Sequence, residues 1–130
     1  MHLCDTNVLS ELTRHEPNPG VLSWVDGRSS LTVSVVTLDE ILYGLAWRPV
    51  PRIVSWFDSF LERRCEIVSV TPEVARVSGQ LRGRFQAKGE TRTQADMMIA
   101  ATAQILGFTL VTRNVRHFDG CGVPILNPFS

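Results

Sequence analysis

Five short runs of apolar and β-branched residues punctuate this sequence, and most of the stretches between them carry helical spacing. Leu31 to Val36 is the richest in β-branched residues. Ile67 to Val70, Phe108 to Thr112 and Val123 to Leu126 are shorter, and the first run leads straight into Asp5. No two neighbouring runs are joined by a tight hairpin turn, and no repeat is present. Strands alternating with helices in this way build a layered α/β domain around a mainly parallel sheet. No linker or low-complexity stretch divides the 130 residues, so one domain spanning 1–130 is expected.

The intervening segments carry their own punctuation. His15 to Gly20 is a turn, and Val21, Leu22, Trp24 and Val25 form a short helix closed by Gly27. Thr37 reads as an N-cap opening a helix through Ile41, Leu42 and Leu45 that stops before Pro49. Pro51 is a first-turn residue for the next. After Pro72, Val74, Val77, Leu81 and Phe85 share one helical face. Thr93 opens a helix that is apolar nearly all round from Met97 to Leu106, and so must be buried; Gly107 ends it.

Composition removes several classes. No apolar run approaches the roughly 18 residues of a membrane span. The first strand begins at Met1, which leaves no room for a signal or transit segment, so a cytoplasmic protein is expected. Cys4, Cys65 and Cys121 are odd in number and scattered, which fits reduced thiols rather than a disulfide framework or structural zinc. Formal net charge is zero, yet twelve of the thirteen basic residues are Arg, and residues 76–92 hold Arg76, Arg82, Arg84, Lys88 and Arg92 against Glu90 alone. Such a stretch is either a solvated helix face or a phosphate-binding one.

Asp5, Glu40 and Asp96 stand in comparable places. Asp5 ends the first strand, and ligands of open parallel sheets gather at the carboxyl ends of strands. Glu40 lies three residues after Thr37, and Asp96 three after Thr93. Both fit a capping box, in which the acid reaches back to the N-cap amide, and both fit a catalytic role. Asp5 is itself an acceptable N-cap. Helix N-termini favour such charges by roughly 0.3–1 kcal/mol each. If the three ends converge, the crowded carboxylates need a cation to stay ionised, and oxygen ligands with open, watered positions suit Mg²⁺ or Mn²⁺.

Residues 3–11, Leu-Cys-Asp-Thr-Asn-Val-Leu-Ser-Glu, resemble the opening of PIN-domain ribonucleases, specifically VapC-type toxins of toxin–antitoxin pairs. Val36-Thr37-Leu38-Asp39-Glu40-Ile41 with Gly44 is similar to their second motif, and Gln94-Ala95-Asp96 followed by Ile99 to Ala103 to their third. Leu110 to Asn114 and Asn127-Pro128-Phe129 resemble their C-terminal end, and the motifs run in the family's order. The resemblance implies a PIN-like three-layer sandwich and an endoribonuclease that holds Mg²⁺ or Mn²⁺ on Asp5, Glu40 and Asp96. Thr6 and Thr112 would be supporting hydroxyls. An RNA substrate, a cognate antitoxin and a homodimer are further implications. Relatives usually add a fourth acid just after the Thr-Arg pair or three residues later; here those positions are Asn114 and His117, and Asp119 is the nearest acid that follows. The fourth metal position is therefore open among Asn114, His117 and Asp119.

The chemistry implied is hydrolysis by an ion-bound water, which needs no 2′-hydroxyl and leaves a 5′-phosphate and a 3′-hydroxyl. Arg82, Arg84, Arg92, Arg113 and Arg116 are candidates for the RNA backbone, in which case binding weakens steeply with salt. An aspartyl-phosphate enzyme would want a second acid two residues after Asp5, where Asn7 stands. A catalytically decayed PIN-like module that binds RNA or a partner is the other alternative. Trp24, Trp47, Trp56 and Phe60 supply either core or a groove for an antitoxin helix or a second copy.

Overall fold

The first strand, β1 (His2–Cys4), lies at the centre of the sheet in the computed structural model, which describes residues 1–130. It pairs in parallel with β2 (Leu31–Ser34) on one side, Cys4 opposite Val33, and with β4 (Thr109–Val111) on the other, Cys4 opposite Val111. Outside these lie β3 (Cys65–Val68), beside β2, and β5 (Ile125–Leu126), beside β4. The order is β3-β2-β1-β4-β5, parallel throughout. Successive side chains of a strand point to opposite faces. Leu3 and Cys4 accordingly enter separate cores on the two sides of the sheet.

One core carries α1 (Thr6–Glu11), α2 (Pro19–Asp26), α3 (Val35–Trp47) and α4 (Pro51–Arg64) through Val8, Val21, Ile41 and Phe57. The other carries α5 (Pro72–Ala87) and α6 (Gln94–Leu106). This is the expected three-layer sandwich. Helix α6 is the most buried: Met97, Ile99, Ala100, Ala101 and Ala103 have no exposed surface. Gly107 ends it at φ 69°, a left-handed conformation that glycine adopts without a Cβ penalty. No helix is long and apolar enough to cross a membrane.

Several boundaries depart from the sequence reading; the last strand, for one, begins at Ile125 rather than Val123. The run Leu31 to Val36 is strand only as far as Ser34, whose hydroxyl accepts from the Val36 amide at 3.0 Å and caps α3. Thr37, expected as the cap, is fully buried inside the helix. The third strand begins at Cys65, two residues before the expected Ile67, because α4 ends there. The aromatic cluster divides: Trp24, Trp56 and Phe60 pack against the first core, whereas Trp47 is 70% exposed, beside Tyr43.

Candidate active site

Asp5 follows β1 directly and is the N-cap of α1, so the strand's end and the helix's start fix its position together. Its Oδ1 accepts from the Thr6 amide at 2.8 Å. Its Oδ2 accepts from Thr112 Oγ1 at 2.8 Å and from Asn7 Nδ2 at 3.1 Å. The carboxylate is 4% exposed. Burial raises its pKa, the bonds from Thr112 and Thr6 oppose that rise, and the charges of Asp96 and Glu40 add to it. Both of those acids therefore face Asp5 from other elements.

Glu40 arrives by a different route from the one its spacing implied. With α3 starting at Val35, Glu40 sits in the second turn, away from the N-terminus, and no capping box with Thr37 forms. Its Oε1 instead accepts from Thr6 Oγ1 at 2.6 Å, and the same Thr6 hydroxyl lies 3.2 Å from Thr37 Oγ1. Asp96 keeps half of its expected box. Its amide donates to Thr93 Oγ1 at 3.1 Å, while its carboxylate turns to His117 Nδ1 at 3.2 Å.

Together the three acids line a cleft of about 430 Å³ with Thr6, Asn7, Ser10, Thr93, Asn114 and His117, and no hydrophobic residue contributes. Of the positions left open for a fourth ligand, Asn114 and His117 lie here and Asp119 does not. Asp119 follows the 3₁₀ turn Val115–Phe118, where its carbonyl accepts from Arg92 Nη2 at 2.9 Å. Thr112, fully buried, is the hydroxyl behind Asp5, and Thr6 the one behind Glu40.

Asn7 is a site residue that the sequence motifs alone do not single out. Its Nδ2 donates to both Asp5 and Thr112, and its Oδ1 accepts from the Arg113 amide at 3.0 Å, which ties the end of β4 to the start of α1. The available signal was an Asn inside a helix, where the residue is neutral to unfavourable unless its amide is used.

The arginines separate as well. Arg92 is unavailable for a substrate: Nη1 donates to the His117 carbonyl at 2.9 Å, Nη2 contacts Glu90 and Asp119, and the guanidinium lies 3.9 Å from the Phe85 ring centroid. Arg82, Arg84, Arg113 and Arg116 are exposed and stand outside the cleft lining.

The donor set fits a hard divalent cation in kind, being carboxylate oxygens in an open polar cleft. No three acidic, His or Cys side chains converge tightly enough to hold one ion by direct contact. That agrees with the habit of Mg²⁺, which keeps several waters and takes one or two carboxylates directly.

A parallel three-layer domain with carboxylates gathered beyond its central strands defines a class of α/β proteins with an acidic site at the sheet's carboxyl edge. The PIN domain model matches residues 3–121, and the chain belongs to the PIN-domain family. It is 32% identical to VapC ribonuclease Y4jK of Sinorhizobium fredii over 100% of this chain and 99% of that protein. It is 33% identical to plasmid stability protein StbB of Pseudomonas syringae pv. tomato over the same shares. Among solved structures, FitAcB from Neisseria gonorrhoeae superposes with a TM-score of 0.82 at 30% identity, covering 98% of each chain.

Proposed function

We propose that this chain is the endoribonuclease toxin of a toxin–antitoxin pair, acting as one domain over residues 1–130 in the cytoplasm, where its RNA substrate lies. The observation that carries this reading is the meeting of Asp5, Glu40 and Asp96, from three separate elements, in one wholly polar cleft. Relatives named as VapC ribonucleases and as Toxin FitB support it.

In this reading Asp5, Glu40 and Asp96 hold Mg²⁺ or Mn²⁺, at least one of them through water. When bound, such an ion lowers the pKa of a water and offsets charge on the scissile phosphate. The chain's own side chains do the positioning. Thr112 and Asn7 load Asp5 Oδ2, leaving Oδ1, with one donor, the freer oxygen. Thr6 fixes Glu40, and His117 orients Asp96. Water attacks phosphorus and the bond to the 3′ oxygen breaks, so the products carry a 5′-phosphate and a 3′-hydroxyl. Arg82, Arg84, Arg113 and Arg116 remain for the RNA backbone. The apolar edge of α3 and α4, where Leu42, Leu45, Ala46 and Val54 line a groove beside exposed Trp47, is the face for the antitoxin or for a second copy.

The decayed-module alternative draws on the absence of a carboxylate at Asn114 and His117; the three retained acids, each anchored by a specific bond, weigh against it. Cleavage of single-stranded RNA with Mn²⁺ tests the proposal. Asp5→Ala and Asp96→Ala should each lower the rate by at least about a hundredfold, the scale of a lost charge-stabilising group, and a chelator should abolish cleavage. Unchanged cleavage in both variants overturns the assignment.

A further inference from the structure

A second polar pocket, of about 400 Å³, adjoins the acidic cleft along the seam between α1 and the end of β4. Neighbouring residues divide between the two: Ser10 and Asn114 line the cleft, Glu11 and Arg113 the pocket. The Arg113 amide donates to Asn7 Oδ1 at 3.0 Å, and Asn7 Nδ2 donates to Asp5 Oδ2, so one side chain links the pocket wall to the central acid. A strand of RNA seated on the acids therefore brings an adjoining nucleotide beside this pocket.

The walls are fixed, and the charges sort into used and free. Glu11, 7% exposed, accepts from the Asn18 amide at 2.8 Å and lies 3.7 Å from Arg14 Nη1. Asn18 Oδ1 accepts from the Ser130 amide, and Asn127 Oδ1 from the Phe129 amide at 3.0 Å, which holds Phe129 in the pocket lining. The Arg113 guanidinium lies over that ring, 5.0 Å from its centroid. Arg113 and Glu16 are both exposed, and neither enters an ion pair.

With two Glu and two Arg the lining carries no net charge, which suits a base rather than a phosphate. Unpaired RNA bases stack on aromatic rings and on guanidinium planes, and are read along their Watson–Crick edges. Arg113 backed by Phe129 is such a plane. The Glu16 carboxylate can only accept hydrogen bonds. Guanine sets N1–H and an amino group side by side, and one carboxylate can accept from both. Uracil offers a single N–H between two carbonyls, and adenine and cytosine an amino group beside an unprotonated ring nitrogen. Each of these three turns a lone pair toward the carboxylate.

We infer that this pocket receives a guanine base next to the scissile phosphate, stacked on Arg113 and accepted at its edge by Glu16. This rests on the endoribonuclease reading, and it moves Arg113 from the RNA backbone to a base. In the first experiment, the full chain with Mn²⁺ cuts a random-sequence RNA pool and the fragment ends are sequenced. Guanine should exceed uracil at one position flanking the cut by about fivefold or more, the scale of one bidentate base contact. Glu16→Ala should remove that preference, whereas Arg113→Gln should slow cleavage for every base and leave guanine preferred.

In the second, guanosine and uridine 5′-monophosphates are titrated into the ¹⁵N-labelled full chain with chelator present, and the Arg113 amide resonance is followed. The guanosine nucleotide should shift and saturate it, the uridine nucleotide should not, and Glu16→Ala should erase the difference. Absence of any RNA cleavage would overturn the endoribonuclease reading and leave the nucleotide titration to decide this one. The inference is overturned if the cut sites show no guanine preference, if Glu16→Ala keeps it, or if the two nucleotides act on Arg113 alike.

Discussion

Asp5 is buried, accepts three hydrogen bonds and faces two further acids, and burial outweighs the bonds in setting its pKa above the ordinary 3.8. An acid whose folded pKa is raised favours the folded state while protonated. That contribution is lost as the pH rises from 3.8 through the folded value. Asn at this position carries no charge and keeps an acceptor for the Thr6 amide, but its amide nitrogen takes the place of the oxygen that accepts from Thr112 and Asn7. The melting temperature of metal-free Asp5→Asn relative to wild type should therefore fall as the pH is lowered toward 3.8, and added Mn²⁺ should raise the melting temperature of wild type more than that of the variant. A difference between the two that does not change with pH contradicts this. Burial also pushes Cys4 up to about 12 and Cys65 to about 11. At pH 8 their thiolate fractions are about one in ten thousand and one in a thousand. Alkylation of both in the native protein should lag far behind that of a free thiol and catch up on unfolding; rapid native labelling of Cys4 would show that β1 opens.

The element boundaries explain why Glu40 was harder to place than Asp96. Thr93 and Asp96 keep the spacing of a cap and its third residue, and the structure uses Thr93 as that cap. Thr37 and Glu40 have the same spacing, but Ser34 captures the Val36 amide first and moves the start of α3 back to Val35. Nothing in Ser34-Val35-Val36-Thr37 distinguishes two adequate caps; burial of Thr37 against α1 does. Ser34→Ala should therefore lower stability by about 1 kcal/mol, read from urea unfolding. Thr37→Val should leave the cap intact and act through the Thr6 hydroxyl instead. A negligible loss in Ser34→Ala would return the cap to Thr37. The chain's end is tied down in the same local way. Asn18 Oδ1 accepts from the Ser130 amide at 3.1 Å, and a Cβ on Gly20 would clash with the Pro128 carbonyl oxygen.

The sheet was legible as strands and as mainly parallel, because each strand is apolar and most are followed by a helix of clear period. The strand order was not legible from periodicity alone: nothing local in His2–Cys4 says that it will lie between β2 and β4. Convergence of the acids depends on that order. β1 delivers Asp5 to the centre of the carboxyl edge, α3 leaves β2 on one side, and α6 precedes β4 on the other. Arg92 shows the opposite limit. Its place in a basic stretch pointed outward, and only its packing between the Phe85 ring and the carbonyls of the 3₁₀ turn reveals that both of its terminal nitrogens are used. The central claim is that three acids from distant parts of the chain serve one divalent ion. An anomalous difference map from a Mn²⁺-soaked crystal tests it most directly. The account predicts a peak in the cleft within direct or water-bridged reach of Asp5, Glu40 and Asp96, lost in Asp5→Asn. A map at saturating Mn²⁺ with no peak there, or with its peak elsewhere on the molecule, would contradict it.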